Sequence, residues 1–225
     1  ISSWNIDDEG DIWIGTVSDG LFLLNSSGTV KSFYRSGNPG QDHVNGIAVD
    51  SKYIWLATLN GVVVIDRETG KREREFTTWD KLPHNNVSQV VSVQDGVVMA
   101  STETDKLCYL SIAEGVKTEG LVMEGSMRNR IQSISLSRVD GSVIAATLGN
   151  GLFRFRADTL LNISTADGLL SNYCYSVLNA SDGRIWTGHE RGFSVVNPSA
   201  GSVRTFSRDF GVTGDCLPNA LFEAS

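Results

Sequence analysis

Only four prolines and three cysteines occur in 225 residues, and no apolar run reaches the eighteen or so that a membrane helix needs. No leader peptide is visible at the start of the chain. Helical periodicity is missing over any useful length, which argues against bundles and helical solenoids. Basic residues are also in deficit. The 19 Lys and Arg stand against 26 Asp and Glu, giving a formal charge of −7. Nucleic acid is therefore not expected as a partner, because phosphate binding needs a basic stripe. His43, His84 and His189 form no His-Glu-x-x-His pair, and there is no Gly-x-Ser-x-Gly elbow. Cys108, Cys174 and Cys216 are odd in number and lack metal-ligand spacing. Three buried free thiols are the favoured reading, over one disulfide and an orphan. No metal and no cofactor are expected.

Glycine, by contrast, is abundant at 23 residues, and it recurs at intervals. Ile12-Trp13-Ile14-Gly15-Thr16 returns as Ile54-Trp55-Leu56-Ala57-Thr58 and as Ile185-Trp186-Thr187-Gly188-His189. Val97-Val98-Met99-Ala100-Ser101 and Val143-Ile144-Ala145-Ala146-Thr147 are weaker copies between them. The first residues, 12, 54, 97, 143 and 185, step by 42, 43, 46 and 42. That period belongs to propeller blades.

Each copy is preceded by a polar reversal such as Asp95-Gly96 or Asp182-Gly183, a strong hairpin signal. After most copies a glycine opens another apolar strand, as in Gly61-Val62-Val63. Each unit thus yields four short strands, in the second unit roughly Val44–Asp50, Tyr53–Thr58, Gly61–Asp66 and Lys71–Thr77. The expected fold is all-β, a β-propeller of four-stranded antiparallel blades with five complete repeats and the first strand of a sixth. Blades are expected at about 1–43, 44–86, 87–130, 131–172 and 173–218 within one domain over 1–225, with 219–225 opening a sixth repeat. Such a lone strand would leave its backbone unpaired, so a longer parent chain is expected. Five blades could close alone or belong to a larger ring. Trp13, Trp55 and Trp186 share one repeat position and are expected to be buried between blades.

The pattern Asp-x-x-Gly or Asp-Gly, Ile-Trp-Ile-Gly-Thr, Gly-Leu, Asp…Thr-Gly resembles the two-component regulator propeller repeat. The resemblance covers all five units and is most specific at Asp11–Leu21 and Asp182–Gly188. The third and fourth units lack both the tryptophan and the glycine. It implies the periplasmic sensor region of a bacterial hybrid two-component protein, itself without catalysis, that recognises an oligosaccharide to control glycan-use genes. It also implies further propeller and immunoglobulin-like domains, a membrane helix and a histidine kinase in the parent chain, and pairing with a second copy. A propeller lyase or hydrolase and a protein-interaction scaffold are the alternatives.

Strand order puts second-to-third and fourth-to-first loops at one end of each sheet, and these are the varied loops, where binding residues tend to sit. Trp79 lies there, either stacking on a sugar or covering an apolar edge. Arg128 and Arg130 form a basic cluster suited to acidic groups, unless it is merely a solvated loop. His43, Asn86, Asn172, Tyr173, His189 and Arg191 are further ligand candidates at that end.

Overall fold

The computed structural model describes residues 1–120, 130–156, 159–216 and 221. Its strands form five four-stranded antiparallel sheets, each from four strands consecutive in the chain. The first sheet holds β1 (Ser3–Ile6), β2 (Ile12–Gly15), β3 (Leu21–Leu24) and β4 (Val30–Tyr34). The second holds β5 (Val44–Val49), β6 (Tyr53–Thr58), β7 (Gly61–Asp66) and β8 (Arg72–Phe76). The third holds β9 (Val87–Gln94), β10 (Val97–Thr102), β11 (Lys106–Ser111) and β12 (Gly115–Gly120). The fourth holds β13 (Ile131–Leu136), β14 (Val143–Thr147), β15 (Leu152–Arg156) and β16 (Thr159–Ile163). The fifth holds β17 (Ser176–Asn179), β18 (Ile185–His189), β19 (Gly192–Asn197) and β20 (Ser202–Phe206). The chain divides into two compact units, Ile1–Met123 with three sheets and Glu124–Ser225 with two.

Burial explains why the inner strands read as continuous apolar runs. β6, Tyr-Ile-Trp-Leu-Ala-Thr, is buried at every position, because both faces of its sheet are covered. On one face Ile47, Ile54, Leu56, Val63 and Ile65 pack against Trp13, Leu21 and Leu23 of the first sheet. On the other, Trp55, Val64 and Phe76 pack with Val90, Val98, Ala100, Cys108 and Leu110 of the third. In the second unit Ile144, Ala146 and Leu152 meet Val177, Ile185 and Val196 in the same way. The outermost strand β8, Arg-Glu-Arg-Glu-Phe, is charged and leaves Arg72 and Glu73 exposed, as suits an edge strand.

The third sheet corrects the alignment by one residue. Val98 lies on the face turned towards the second sheet, so Met99, not Val98, takes the tryptophan position. Cross-strand pairing agrees: Met99 opposes Tyr109 as Trp55 opposes Val64. The pairing of β9 with β10 is itself irregular, with register shifts between Val97 and Val98 and between Ser101 and Thr102. A slip of one residue sends every side chain to the other face.

Trp13 and Trp55 are buried as expected, and each is tied through its indole. Trp13 Nε1 donates to Asp7 Oδ2 at 2.8 Å and Trp55 Nε1 to Asp50 Oδ2 at 2.9 Å. The other oxygen of each aspartate closes its own hairpin, accepting the amides of Glu9 and Asp11 or of Lys52 and Tyr53. The shared Oδ2 then reaches the next sheet. Asp7 accepts from Arg67 Nη2 at 2.8 Å, and Asp50 from the amide of Gly96 at 3.0 Å.

Trp186 departs from the expectation. It is only half-buried, stacked on Phe193 at 5.6 Å with the Arg184 guanidinium 5.7 Å from its ring centre. The clusters of the second unit place the opposite face of the fifth sheet, with Ile185 and Val196, against the fourth.

The glycine of the signature makes room for the start of the next repeat. A Cβ on Gly15 would lie 2.8 Å from Val44 Cγ1, and one on Gly188 would lie 2.3 Å from Cys216 Cβ. Cys216 also donates its amide to the carbonyl of His189 at 3.1 Å, as Val44 does to Thr16 and Cys174 to Thr147, both at 2.9 Å. Cys216 thus makes the contact that Val44 and Cys174 make at the starts of earlier repeats. Residues 219–225 lie outside the described residues apart from Leu221.

Trp55→Ala is expected to cost about 3–5 kcal/mol, the usual result of truncating a buried large aromatic. Trp186→Ala should cost less than half as much, since its ring is only half-buried. Chemical denaturation midpoints of the two variants check both; equal losses would contradict this account of the faces.

Candidate functional site

The varied loops rest on a repeated hydrogen-bond frame. Oγ1 of Thr16, Thr58 and Thr147, each closing a second strand, donates to the carbonyl of Gly20, Gly61 and Gly151 at 3.0, 2.8 and 2.8 Å. The next connection locks on from above. Gly61 donates its amide to the Asn85 carbonyl at 2.7 Å, and Gly151 to that of Asn172 at 2.9 Å.

Two of these connections are versions of one motif. At Thr77–Asn86 and Ser164–Tyr173 a short 3-10 turn begins with a capping box, Thr77 with Asp80 and Ser164 with Asp167. Each turn ends in a left-handed residue, Lys81 or Gly168, followed by a buried leucine, Leu82 or Leu169. Asn85 and Asn172 close the motif, each accepting with Oδ1 the amide of Thr78 or Thr165 at 2.8 Å. The two copies differ at the residue that follows. Trp79 stands where the second copy has Ala166, and it is 95% exposed. Its ring therefore does not cover an apolar edge; it is presented to solvent from a fixed turn.

Amides cluster in the same part of the first unit. Asn85 Nδ2 reaches Asn60 Oδ1 at 3.4 Å, while Asn45 Nδ2 donates to the Val87 carbonyl at 2.8 Å and lies 3.4 Å from Asn86 Oδ1. Asn86 belongs to the Trp79 loop, and its amide donates to His84 Nδ1 at 3.0 Å. His43 is half-buried after the helical turn Pro39–Asp42, in the neighbouring connection. The carboxylate of buried Asp42 holds that connection by accepting the Ser36 amide and hydroxyl and the Gly37 amide at 2.7–3.0 Å.

The second unit sorts its candidates differently. Arg130 is exposed, Tyr173 is 56% exposed, and Asn172 is occupied as a loop closure. Arg128 lies outside the described residues. His189 is fully buried. It occupies the threonine position of its repeat, with Nε2 2.8 Å from Ser194 Oγ and Nδ1 3.1 Å from the Tyr173 carbonyl. Burial lowers its pKa, opposed by the hydrogen bond to Tyr173. Cys174 Sγ lies 3.8 Å from His189 Nδ1, but burial pushes that thiol up to about 12, so no thiolate–imidazolium pair forms.

Arg191 is exposed and has φ +58°, whereas in three other repeats the left-handed residue is the next one, the glycine that opens the third strand. A side chain there costs on the order of 1–2 kcal/mol. Asp215 Oδ1 holds the turn by accepting the Arg191 amide at 3.0 Å. Arg191 lines a depression of about 320 Å³ with Arg208, Val212 and Thr213, three residues that repeat reading did not single out.

No protein-family model matches the sequence, and no curated protein is significantly similar to it. Solved structures are similar in fold. The extracellular domain of the hybrid two-component system BT3049 of B. thetaiotaomicron superposes with a TM-score of 0.81 at 22% identity, over 98% of this chain and 31% of that one. The extracellular domain of BT4673 from the same organism gives 0.64 at 18% identity, over 97% and 34%. The β-propeller domain of Myceliophteria thermophila Cps50 (Swd1) gives 0.68 at 14% identity, over 88% and 66%. The fold is a β-propeller.

This propeller chain thus spans about a third of the length of the two B. thetaiotaomicron chains. The repeats and the similarity in fold agree on a β-propeller. No helix among the described residues is long and apolar enough to cross a membrane.

His189 supplies a pH dependence. Its folded pKa is depressed below the unfolded value of about 6.5, so its contribution to stability is complete above that pH and is lost as pH falls through the folded pKa. Thermal midpoints measured from pH 7 down to pH 5 should fall more steeply in the native propeller than in His189→Gln. Parallel slopes would show that the ring titrates as freely as in the unfolded chain.

Proposed function

We propose that this chain is an extracytoplasmic sensing region of a two-component-type regulator, and that it recognises an oligosaccharide at the Trp79 end of its first unit. The observation that carries the site is Trp79, 95% exposed on a capped turn. An aromatic held rigid in water offers a flat apolar face at little entropic cost on binding. The apolar face of a sugar ring fits such a surface, and the side-chain amides of Asn60 and Asn86 suit its hydroxyls. The sensing role is supported by the similarity to extracellular domains of two-component systems over almost the whole chain. Ligand capture on fixed loops, with no chemistry on the ligand, is what such a region would supply. A histidine kinase, further propeller and immunoglobulin-like domains and a paired second copy belong to the same proposal, as parts of the parent protein.

Trp79→Ala should leave the denaturation midpoint within about 0.5 kcal/mol of the native value, since the side chain packs on nothing. Calorimetric titration of the chain with a panel of neutral and acidic oligosaccharides should show at least one ligand, weakened about tenfold or more by that substitution. A panel in which every bound sugar is indifferent to Trp79→Ala would remove the site from this end.

A further inference from the structure

We propose that the depression lined by Arg191, Arg208, Val212 and Thr213 in the second unit binds a small molecule through a carboxylate or sulfate group. Among the described residues, Arg191 and Arg208 line it together with Val212 and Thr213. Guanidinium forks match planar or tetrahedral oxyanions in geometry as well as charge. The volume, about 320 Å³, is enough for a single ring-sized group.

Two departures from the repeat assemble this lining. In the first, the left-handed position moves onto Arg191, so the turn projects a long cationic side chain. In the second, the 3-10 turn Arg208–Phe210 carries Arg208 and Phe210 where its counterparts have Thr78 and Asp80, or Thr165 and Asp167. The capping carboxylate is thereby gone from that turn, and Ser207 makes no side-chain cap. The acidic neighbours do not cancel the charge within the depression. Glu190 meets Arg191 Nε only at 3.8 Å, Asp215 is engaged with the Arg191 amide, and neither these two nor Asp209 line the space. Arg191 holds a left-handed backbone and lines the depression, and non-glycine residues held in that region cluster at ligand sites.

The experiment is calorimetric titration of the full chain with D-glucuronate, D-glucose 6-sulfate and D-glucose. At least one anionic sugar should bind saturably and glucose should not; which one binds identifies the group. Arg208→Gln and Arg191→Gly should each weaken that binding tenfold or more, with thermal midpoints confirming that both variants fold. Glycine keeps the left-handed turn, so the second variant isolates the side chain. Trp79→Ala should leave this binding unchanged, which separates its failure from failure of the oligosaccharide reading. No binding of either anion, equal binding of glucose, indifference to either arginine variant, or sensitivity to Trp79→Ala would overturn the proposal.

Discussion

The indole of Trp55 fills the space between the second and third sheets while its Nε1 donates to Asp50. That carboxylate also closes its own hairpin and takes the Gly96 amide from the next sheet. One side chain pair thereby couples a turn, a sheet interface and the spacing between repeats. A four-stranded sheet with two apolar faces cannot bury both by itself, so each repeat depends on contact with its neighbours. Asp7 with Trp13 does the same work one repeat earlier, with Arg67 in place of the Gly96 amide. The interaction recurs because the requirement recurs. It resides at the short-turn end, where in both of these repeats one aspartate closes the first hairpin.

At the other end the frame uses smaller groups. The threonine that closes a second strand and the glycine or alanine before it leave just enough room for the first residue of the next repeat. Everything between these fixed points can change without disturbing the sheets. Trp79 and Ala166 occupy matching places in two loops whose hydrogen bonds are otherwise the same. A difference of that kind alters what the surface can bind and leaves the fold alone.

This division also decides how much was legible in the sequence. Periodic tryptophan, Asp-Gly turns and glycine at strand starts are framework features, and they gave the five sheets and the strands of the second repeat almost to the residue. The slip in the third sheet was hidden because Val97, Val98 and Met99 are all apolar, and nothing in their order says which faces which neighbour. The half-burial of Trp186 depends on what covers its sheet, which its own repeat does not encode. The burial of His189, expected only as a ligand candidate, follows from its place at the threonine position of the repeat, which points inward. Arg208 and Asp215 were not legible, since their roles arise from contacts across the chain with the Arg191 turn.

The fifth repeat concentrates its departures at these framework points. His189 replaces a threonine, the left-handed residue moves from glycine to Arg191, and Phe210 stands where two other loops have a capping aspartate. Each change alone would weaken a connection. Together they are compensated: Ser194 and the Tyr173 carbonyl satisfy the imidazole, and Asp215 secures the Arg191 amide. Phe210 meets Phe206 edge-on at 5.3 Å, so an apolar contact takes over from the lost cap. Compensation of this sort holds the connection in place while replacing the groups it presents. Two neighbouring connections that elsewhere carry Thr78 or Thr165 and a glycine at the left-handed position here present Arg208 and Arg191 to solvent, and their sheet is unaltered.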